Sequence, residues 1–278
     1  MQESIDILLS TYNSEKNLEE QIDSIFNQTY TQWNLIIRDD GSIDGTLAYL
    51  YGLQAKYPDK IKLFVDNENV GVIKSFEYLL TYSKASYIMF CDHDDVWLPN
   101  KIETTFSKMQ ELENEFPNLP ILVHTDLTVV DKNFQIIHDS FWKFSKLDPK
   151  LLSNFDYLGV CNGITGCTML MNRKAIDISL PISPNATMHD SWIGLCVSKL
   201  GKVGFVEDST ILYRQHEFNQ IGATEIKGTL NYINSRILNF KSVLTKNLNQ
   251  FKLVNELDYG SIMKYLYFKI CYFLKARV

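Results

Sequence analysis

The chain of 278 residues has little of what marks the simplest structural classes. Its 13 glycines and seven prolines are too few and too scattered for a collagen-like or linker-dominated protein. The five cysteines, Cys91, Cys161, Cys167, Cys196 and Cys271, form no CxxC pair and are odd in number. That speaks for free thiols in a reducing compartment and against a disulfide framework or a zinc site. No apolar run reaches the ~18 residues of a membrane-spanning helix, and the opening MQESIDILLS lacks the basic start and cleavage pattern of a signal peptide. There is no GxGxxG, no internal repeat and no low-complexity tract. What is left, 45% hydrophobic and 22% charged residues, is an ordinary globular composition.

The net charge of −6 conceals a division. Residues 227–278 hold nine Lys and Arg against two Asp and Glu, and residues 1–226 hold 18 against 31, so a body of −13 precedes a tail of +7. An acidic body argues against nucleic acid as a partner, and a basic tail is the usual mark of a surface that meets anions.

The first hundred residues alternate short apolar runs with helical periodicity, which predicts β-α-β units and a mostly parallel sheet. Strands are expected at Ile5–Leu9, Trp33–Arg38, Ile61–Val65 and Tyr87–Cys91. Helices are expected after Asn13-Ser14, read as capping residues, and over Thr46–Tyr57 and Val72–Ser83. Each strand ends on a polar segment, and ligands bind beyond the carboxyl ends of strands in open parallel sheets. Ser10–Asn13, Asp39–Ser42, Asp66–Asn69 and Asp92–Asp95 should therefore converge on one crevice. Further on, Ile121–Val130 reads as a strand, Cys161–Asn172 as a glycine-containing turn leading into a strand, and His189–Leu200 as a helix. Val203–Val206 and Ile211–Tyr213 read as strand pieces. From about Gly222 the sequence turns helical and Lys-rich, which places a soft boundary between a body of 1–222 and a helical extension of 223–278.

Asp92-His93-Asp94-Asp95 is the segment richest in chemistry. Three carboxylates at the end of a buried strand repel one another and lose hydration, so the cluster calls for a cation. Oxygen ligands suit Mg²⁺ or Mn²⁺. The competing reading is a capping turn for a helix from Pro99 to Met109. Asp44 is likewise expected to cap the helix from Thr46.

Together, LLSTYNSEKNLEEQIDSIFNQTY, NLIIRDDGSIDGT, VDNENVGVIKSF and YIMFCDHDDVWLPNKI resemble the N-terminal half of family 2 glycosyltransferases of the GT-A fold. The four motifs follow in the family's order over roughly residues 4–102. The resemblance implies an α/β, Rossmann-like sheet flanked by helices and inverting transfer from a nucleotide sugar. It further implies donor contacts at Thr11, Tyr12, Asp40, Asn69 and Asp92, and a Mn²⁺ or Mg²⁺ ion on Asp94 and Asp92, supplemented by Asp95. Residues 162–168 resemble the family's acceptor-side segment, which brings in Gly166, Cys167 and, from the later MHDSW segment, Trp192. Asp190, where many relatives have Glu-Asp and this chain has His-Asp, is the expected general base. His189 would either tune it or lie on the surface.

Tyr213-Arg214-Gln215-His216 resembles the YRQH of bacterial rhamnosyltransferase-like members, which implies Arg214 against phosphate and His216 near the metal. The QxxRW of processive synthases is absent, so transfer of one sugar is expected. The donor is open between a dTDP-linked rhamnose and a UDP-hexose, and the acceptor is a saccharide, free or lipid-linked. The expected place is the cytoplasm, with residues 260–278 docking on the inner leaflet through Lys264, Lys269, Lys275 and Arg277. A packed helix or a dimer contact are the alternatives there. Two rival functions are weighed: a haloacid dehalogenase-like phosphatase, because Asp92–Val96 also fits DxDx[TV], and a non-catalytic nucleotide-sugar-binding module.

Overall fold

The computed structural model describes residues 3–215 and 240–275. The boundary expected near 222, His216 and Arg277 lie outside the described residues. The first hundred residues form β1 (Ile5–Thr11), α1 (Leu18–Phe26), β2 (Trp33–Asp39), α2 (Thr46–Lys56), β3 (Ile61–Val65), α3 (Val72–Tyr82), β4 (Tyr87–Cys91) and the two-residue β5 (Val96–Trp97). After α4 (Lys101–Glu115) come β6 (Ile121–Val130) and β7 (Ile136–His138). Three one-turn helices follow, α5 (Phe141–Phe144), α6 (Pro149–Leu152) and α7 (Phe155–Leu158). A 3-10 turn at Gly166–Thr168 leads into β8 (Leu170–Asn172), α8 (Arg173–Asp177), α9 (His189–Leu200) and β9 (Lys202–Arg214). The C-terminal helices are α10 (Phe240–Asn255) and α11 (Ile262–Lys275).

One sheet runs in the order β3-β2-β1-β4-β8-β6-β9-β5, with β7 added on β6. The alternation of the first half produces what it predicts, because β1 pairs in parallel with both β2 and β4, and β2 with β3. Beyond β4 the sheet reverses: β8 is antiparallel to β4 and to β6, while β6 and β9 are parallel. The two pieces expected in 203–213 are one continuous strand, its ladder with β6 shifted in register around Asp126. The acid-rich turn does not cap the next helix, which begins at Lys101 with Asn100 at its N-cap. Nor do Asn13 and Ser14 cap α1, whose N-cap is Asn17. Instead the Asn13 N–H donates to Ser42 Oγ (2.8 Å), its Oδ1 accepts the Ile43 N–H, and the Ser14 N–H donates to Thr46 Oγ1 (2.8 Å), so the two loops are laced together.

Alternate strand residues feed two cores. Ile5, Ile7, Leu9, Leu35 and Ile37 pack under α1, α2 and α4. Leu8, Ile36, Ile88 and Phe90 pack under α3, α8 and α9, and this second core also takes in Leu253, Val254, Tyr259, Tyr265 and Tyr272. The described part of the C-terminal extension is thus built into the body.

Candidate active site

Strand register decides which polar segments meet. Thr11 stands opposite Asp39 and Leu9 opposite Cys91, so Asp39, Asp40 and Asp92 leave the same edge of the sheet from neighbouring strands. Because β8 is antiparallel to β4, the turn at Gly166–Thr168 that precedes it opens on that edge as well. The carboxyl end of β9 arrives there too, since β5 pairs antiparallel with it, Val96 opposite Leu212.

On the β1–β2 side, Asp39 is fully buried and holds the loop: it accepts from Thr11 Oγ1 (2.9 Å), Ser42 N–H (2.9 Å) and Ser42 Oγ (2.6 Å). Asp40 accepts from Arg38 (2.7 Å) and from the backbone N–H groups of Val70 (3.0 Å) and Gly71 (2.8 Å) at the start of α3. Burial would raise its pKa, but the Val70 N–H, Arg38 and the Gly71 N–H outweigh it and hold the carboxyl below its ordinary value. Arg38 also binds Ser75 and Asp66. Asn69 turns inward on its own loop, its Oδ1 accepting the Gly71 N–H. Tyr12 is exposed at the edge, with its ring free of the core. Arg38→Met should cost about 3 kcal/mol in chemical denaturation, because it leaves the buried Asp40 carboxylate without its cation. A loss within 0.5 kcal/mol would mean that the two N–H groups suffice.

The acidic end of β4 divides by burial. Asp95 is fully buried, Asp94 nearly so, and Asp92 half-buried. One oxygen of Asp95 accepts the Arg214 N–H (3.1 Å), and the other has no hydrogen-bond donor in reach beyond the Cys167 thiol beside it. Single ligand atoms of Asp92, Asp95 and Cys167 lie within 4.8 Å of one another. Burial, then Asp94 and Asp190, raise the Asp92 pKa; burial, then Asp94 and Asp92, raise that of Asp95. Crowded carboxylates with an uncompensated buried oxygen fit a hard divalent cation. The thiol is a softer partner, and burial keeps it protonated.

Across the Gly166 turn stands Asp190, in the first turn of α9. Its Oδ2 accepts the Gly166 N–H (2.9 Å) and its Oδ1 the Ser191 N–H (2.5 Å), which fixes its position in the crevice; the N-cap of α9 is Met188 and not Asp190. Burial pushes its pKa up to about 6 despite those two donors. His189 is not a surface residue: it is buried, stacked on Phe76 (4.1 Å between centroids) and edge-on to Phe90 (4.7 Å). Neither of its nitrogens has a partner among the described residues, and burial drives its pKa down to about 3.

Two expected site residues are placed otherwise. Trp192 donates its indole N–H to the Ser179 carbonyl (2.8 Å) and packs in the core. Cys167, assigned to the acceptor side, faces the carboxylates of β4. Arg214 reaches back to α1, binding Asn17 (3.0 Å) and Glu20 (2.5 Å) and lying over the Phe134 ring. Lys101 escaped sequence reasoning altogether. Its ammonium is fully buried, lies over Trp97 (4.7 Å) and has no hydrogen-bond partner among the described residues. Burial lowers its pKa to about 8, although Cys167, Cys91 and Asp95 act the other way. Its place in PNKI, just past the acidic segment, was the available signal.

The model of glycosyl transferase family 2 matches residues 6–178. Over 228 residues the chain is 28% identical to the dTDP-rhamnosyl transferase RfbG of Shigella flexneri, covering 77% of this chain and 74% of that protein. It is 26% identical to the UDP-Glc:alpha-D-GlcNAc-diphosphoundecaprenol beta-1,3-glucosyltransferase WfgD of Escherichia coli, over 70% of each. The matches span 66% of the length of one of the first curated relatives and about a third of three others. Among solved structures, TarS 1-349 of S. aureus in complex with UDP-GlcNAc matches with a TM-score of 0.56 at 16% identity, covering 91% of this chain and 72% of that one. The mannosyltransferase PcManGT of Pyrobaculum calidifontis, in complex with GDP-Man and Mn²⁺, matches with a TM-score of 0.54 at 15% identity, over 79% and 58%. These likenesses show the GT-A fold.

Proposed function

The chain belongs to glycosyl transferase family 2, and from that premise we propose that it moves one sugar, with inversion, from a nucleotide sugar to a saccharide acceptor in the building of a cell-surface polysaccharide. The observation that carries the reading is the meeting of Asp190 with the β4 carboxylates around the Gly166 turn. Thr11 and Tyr12 flank the base, and Asp40, whose Oδ2 accepts the Gly71 N–H, keeps a lone pair there for a base N–H. Asp92 and Asp94, with Asp95 beside them, would hold Mn²⁺ or Mg²⁺. A divalent ion bound there offsets the charge of the departing diphosphate. Arg214 fixes Asp95 through its backbone N–H, and its guanidinium, held on Glu20 and Asn17, is the group that would meet phosphate. Asp190 takes the proton of the acceptor hydroxyl as it attacks the anomeric carbon.

The YRQH segment and the likeness to RfbG favour rhamnose on dTDP; the likeness to WfgD, whose name carries UDP-Glc, favours a UDP-hexose. WfgD's name also carries a diphosphoundecaprenol acceptor, and a lipid-linked acceptor with residence on the inner leaflet belongs to this proposal. No described helix is long and apolar enough to cross a membrane. The phosphatase alternative needs the acidic motif on the first strand, whereas it follows β4. Incubation with Mn²⁺ and a panel of dTDP-, UDP- and GDP-sugars tests the reading. Release of nucleoside diphosphate with one donor is expected; release of inorganic phosphate, or of neither product, would overturn it.

A further inference from the structure

The +7 tail invited a reading in which lysines meet an anionic surface, and the structure rearranges that picture. In α11 the lysines turn toward the body: Lys264 pairs with Asp156 (2.6 Å), Lys269 donates to the Val160 carbonyl (3.2 Å), and Lys275 donates to the Tyr157 hydroxyl (2.9 Å). Tyr265 and Tyr272 enter the core between them. What faces outward is apolar. Met263 is 71% exposed, Tyr267 and Ile270 62%, Leu274 60% and Leu266 44%. Their spacing of three, one, three and four confines them to an arc of about 100° along some 16 Å of helix, at 100° and 1.5 Å per residue. No described residue covers the row, and α11 contains no carboxylate. Leu244 and Leu248, one turn apart on α10, are exposed as well.

We propose that this face of α11 lies in the interfacial region of an anionic bilayer. The charge pattern selects that occupant. Lys264 is answered by Asp156, but Lys275 on one border of the apolar arc and Lys269 on the other donate to neutral oxygens, so both keep their net charge beside the row, as in a helix that buries its apolar face among acyl chains with cations at headgroup depth. A second copy laid on the same face would bring lysine borders together with no acid in α11 to answer them. The position in the fold agrees: α11 packs on α7, which packs on α9, the helix that carries Asp190. A docked α11 therefore holds the side of the crevice that receives the acceptor close to the lipid. The purpose of the surface rests on the proposed lipid-linked acceptor; its geometry does not.

The test uses the full chain and vesicles of phosphatidylglycerol with phosphatidylethanolamine, compared with phosphatidylcholine alone, in co-sedimentation. The chain should pellet with the anionic vesicles. The double variant I270E/L274E should lose at least tenfold in partitioning with an unchanged melting temperature, because both positions are exposed. Failure of the chain to pellet, or equal pelleting of the double variant, overturns the proposal. So does a solution dimer, seen by sedimentation velocity without vesicles, that I270E/L274E converts to monomers. Nucleoside diphosphate release on the same samples separates the two readings. Turnover without vesicle binding removes the surface alone, and vesicle binding without turnover on any donor removes the transferase reading alone.

Discussion

Asp190→Asn is expected to slow sugar transfer about a thousandfold while leaving the fold intact and making it more stable at neutral pH. The rate loss is the ordinary size for removing a general base from a reacting hydroxyl. The amide oxygen of Asn can still accept the Gly166 N–H, so the turn keeps its anchor, while the Ser191 N–H loses its acceptor at about 1 kcal/mol, less than the buried charge costs. The gain in stability follows from the direction of the shift. Asp190 moves from 3.8 unfolded to about 6 folded, so the fold prefers the neutral carboxyl. Its favourable contribution is complete below pH 4 and is lost as pH rises through about 6. Above that, the buried charge costs on the order of 3 kcal/mol, which the amide does not incur. The difference in melting temperature between variant and parent should therefore be largest near pH 8 and vanish near pH 4. The same group sets the rate profile, with transfer falling tenfold per pH unit below about 6. Normal turnover in Asp190→Asn would remove the base assignment. Loss of stability at pH 8 would reassign the carboxylate to a structural role.

Asp95→Asn should reduce transfer at least a hundredfold and weaken Mn²⁺ binding, read by calorimetry in the presence of nucleoside diphosphate. Asp95 is the buried carboxylate with an oxygen left for a cation, and its other oxygen already serves Arg214. An electrostatic partner of a leaving diphosphate accounts for an effect of this size. Asp94→Asn provides the comparison. If the ion rests on Asp94 and Asp92, as the motif resemblance implies, it should be the more damaging change. Full transfer by both variants, or unaltered Mn²⁺ affinity in both, would remove the cation site from β4.

The half of the chain that alternates strand and helix was readable because each strand is apolar, short and stopped by polar residues. The crevice followed from that, and Asp39, Asp40 and Asp92 do share one edge. What the linear pattern withholds is which carboxylate of a run points where. Asp95 turns out to be the one tied to Arg214, 119 residues further on, because β5 folds antiparallel onto β9. His189 gave no sign of burial, since its cover comes from Phe76 and Phe90 on α3 and β4. The MHDSW resemblance implies Trp192 as an acceptor contact, yet a helix turns successive residues about 100° apart, and that rotation sends it into the core. In α11 the positions of the lysines alone do not tell which side of the helix is outside. The apolar row between the lysines is continuous, and only the packing of Tyr265 and Tyr272 tells which side is outside.

The sheet acts as a partition. Tyr265 and Tyr272 share their core with α9 on one side of it, while α1, α2 and α4 occupy the other. A blow to the C-terminal helices is thus transmitted to the helix bearing the proposed base before it reaches the β1–β2 loops. In kinetic terms, damage at the tail should raise the acceptor's KM more than the donor's, although Asp40 also leans on α3 in that core.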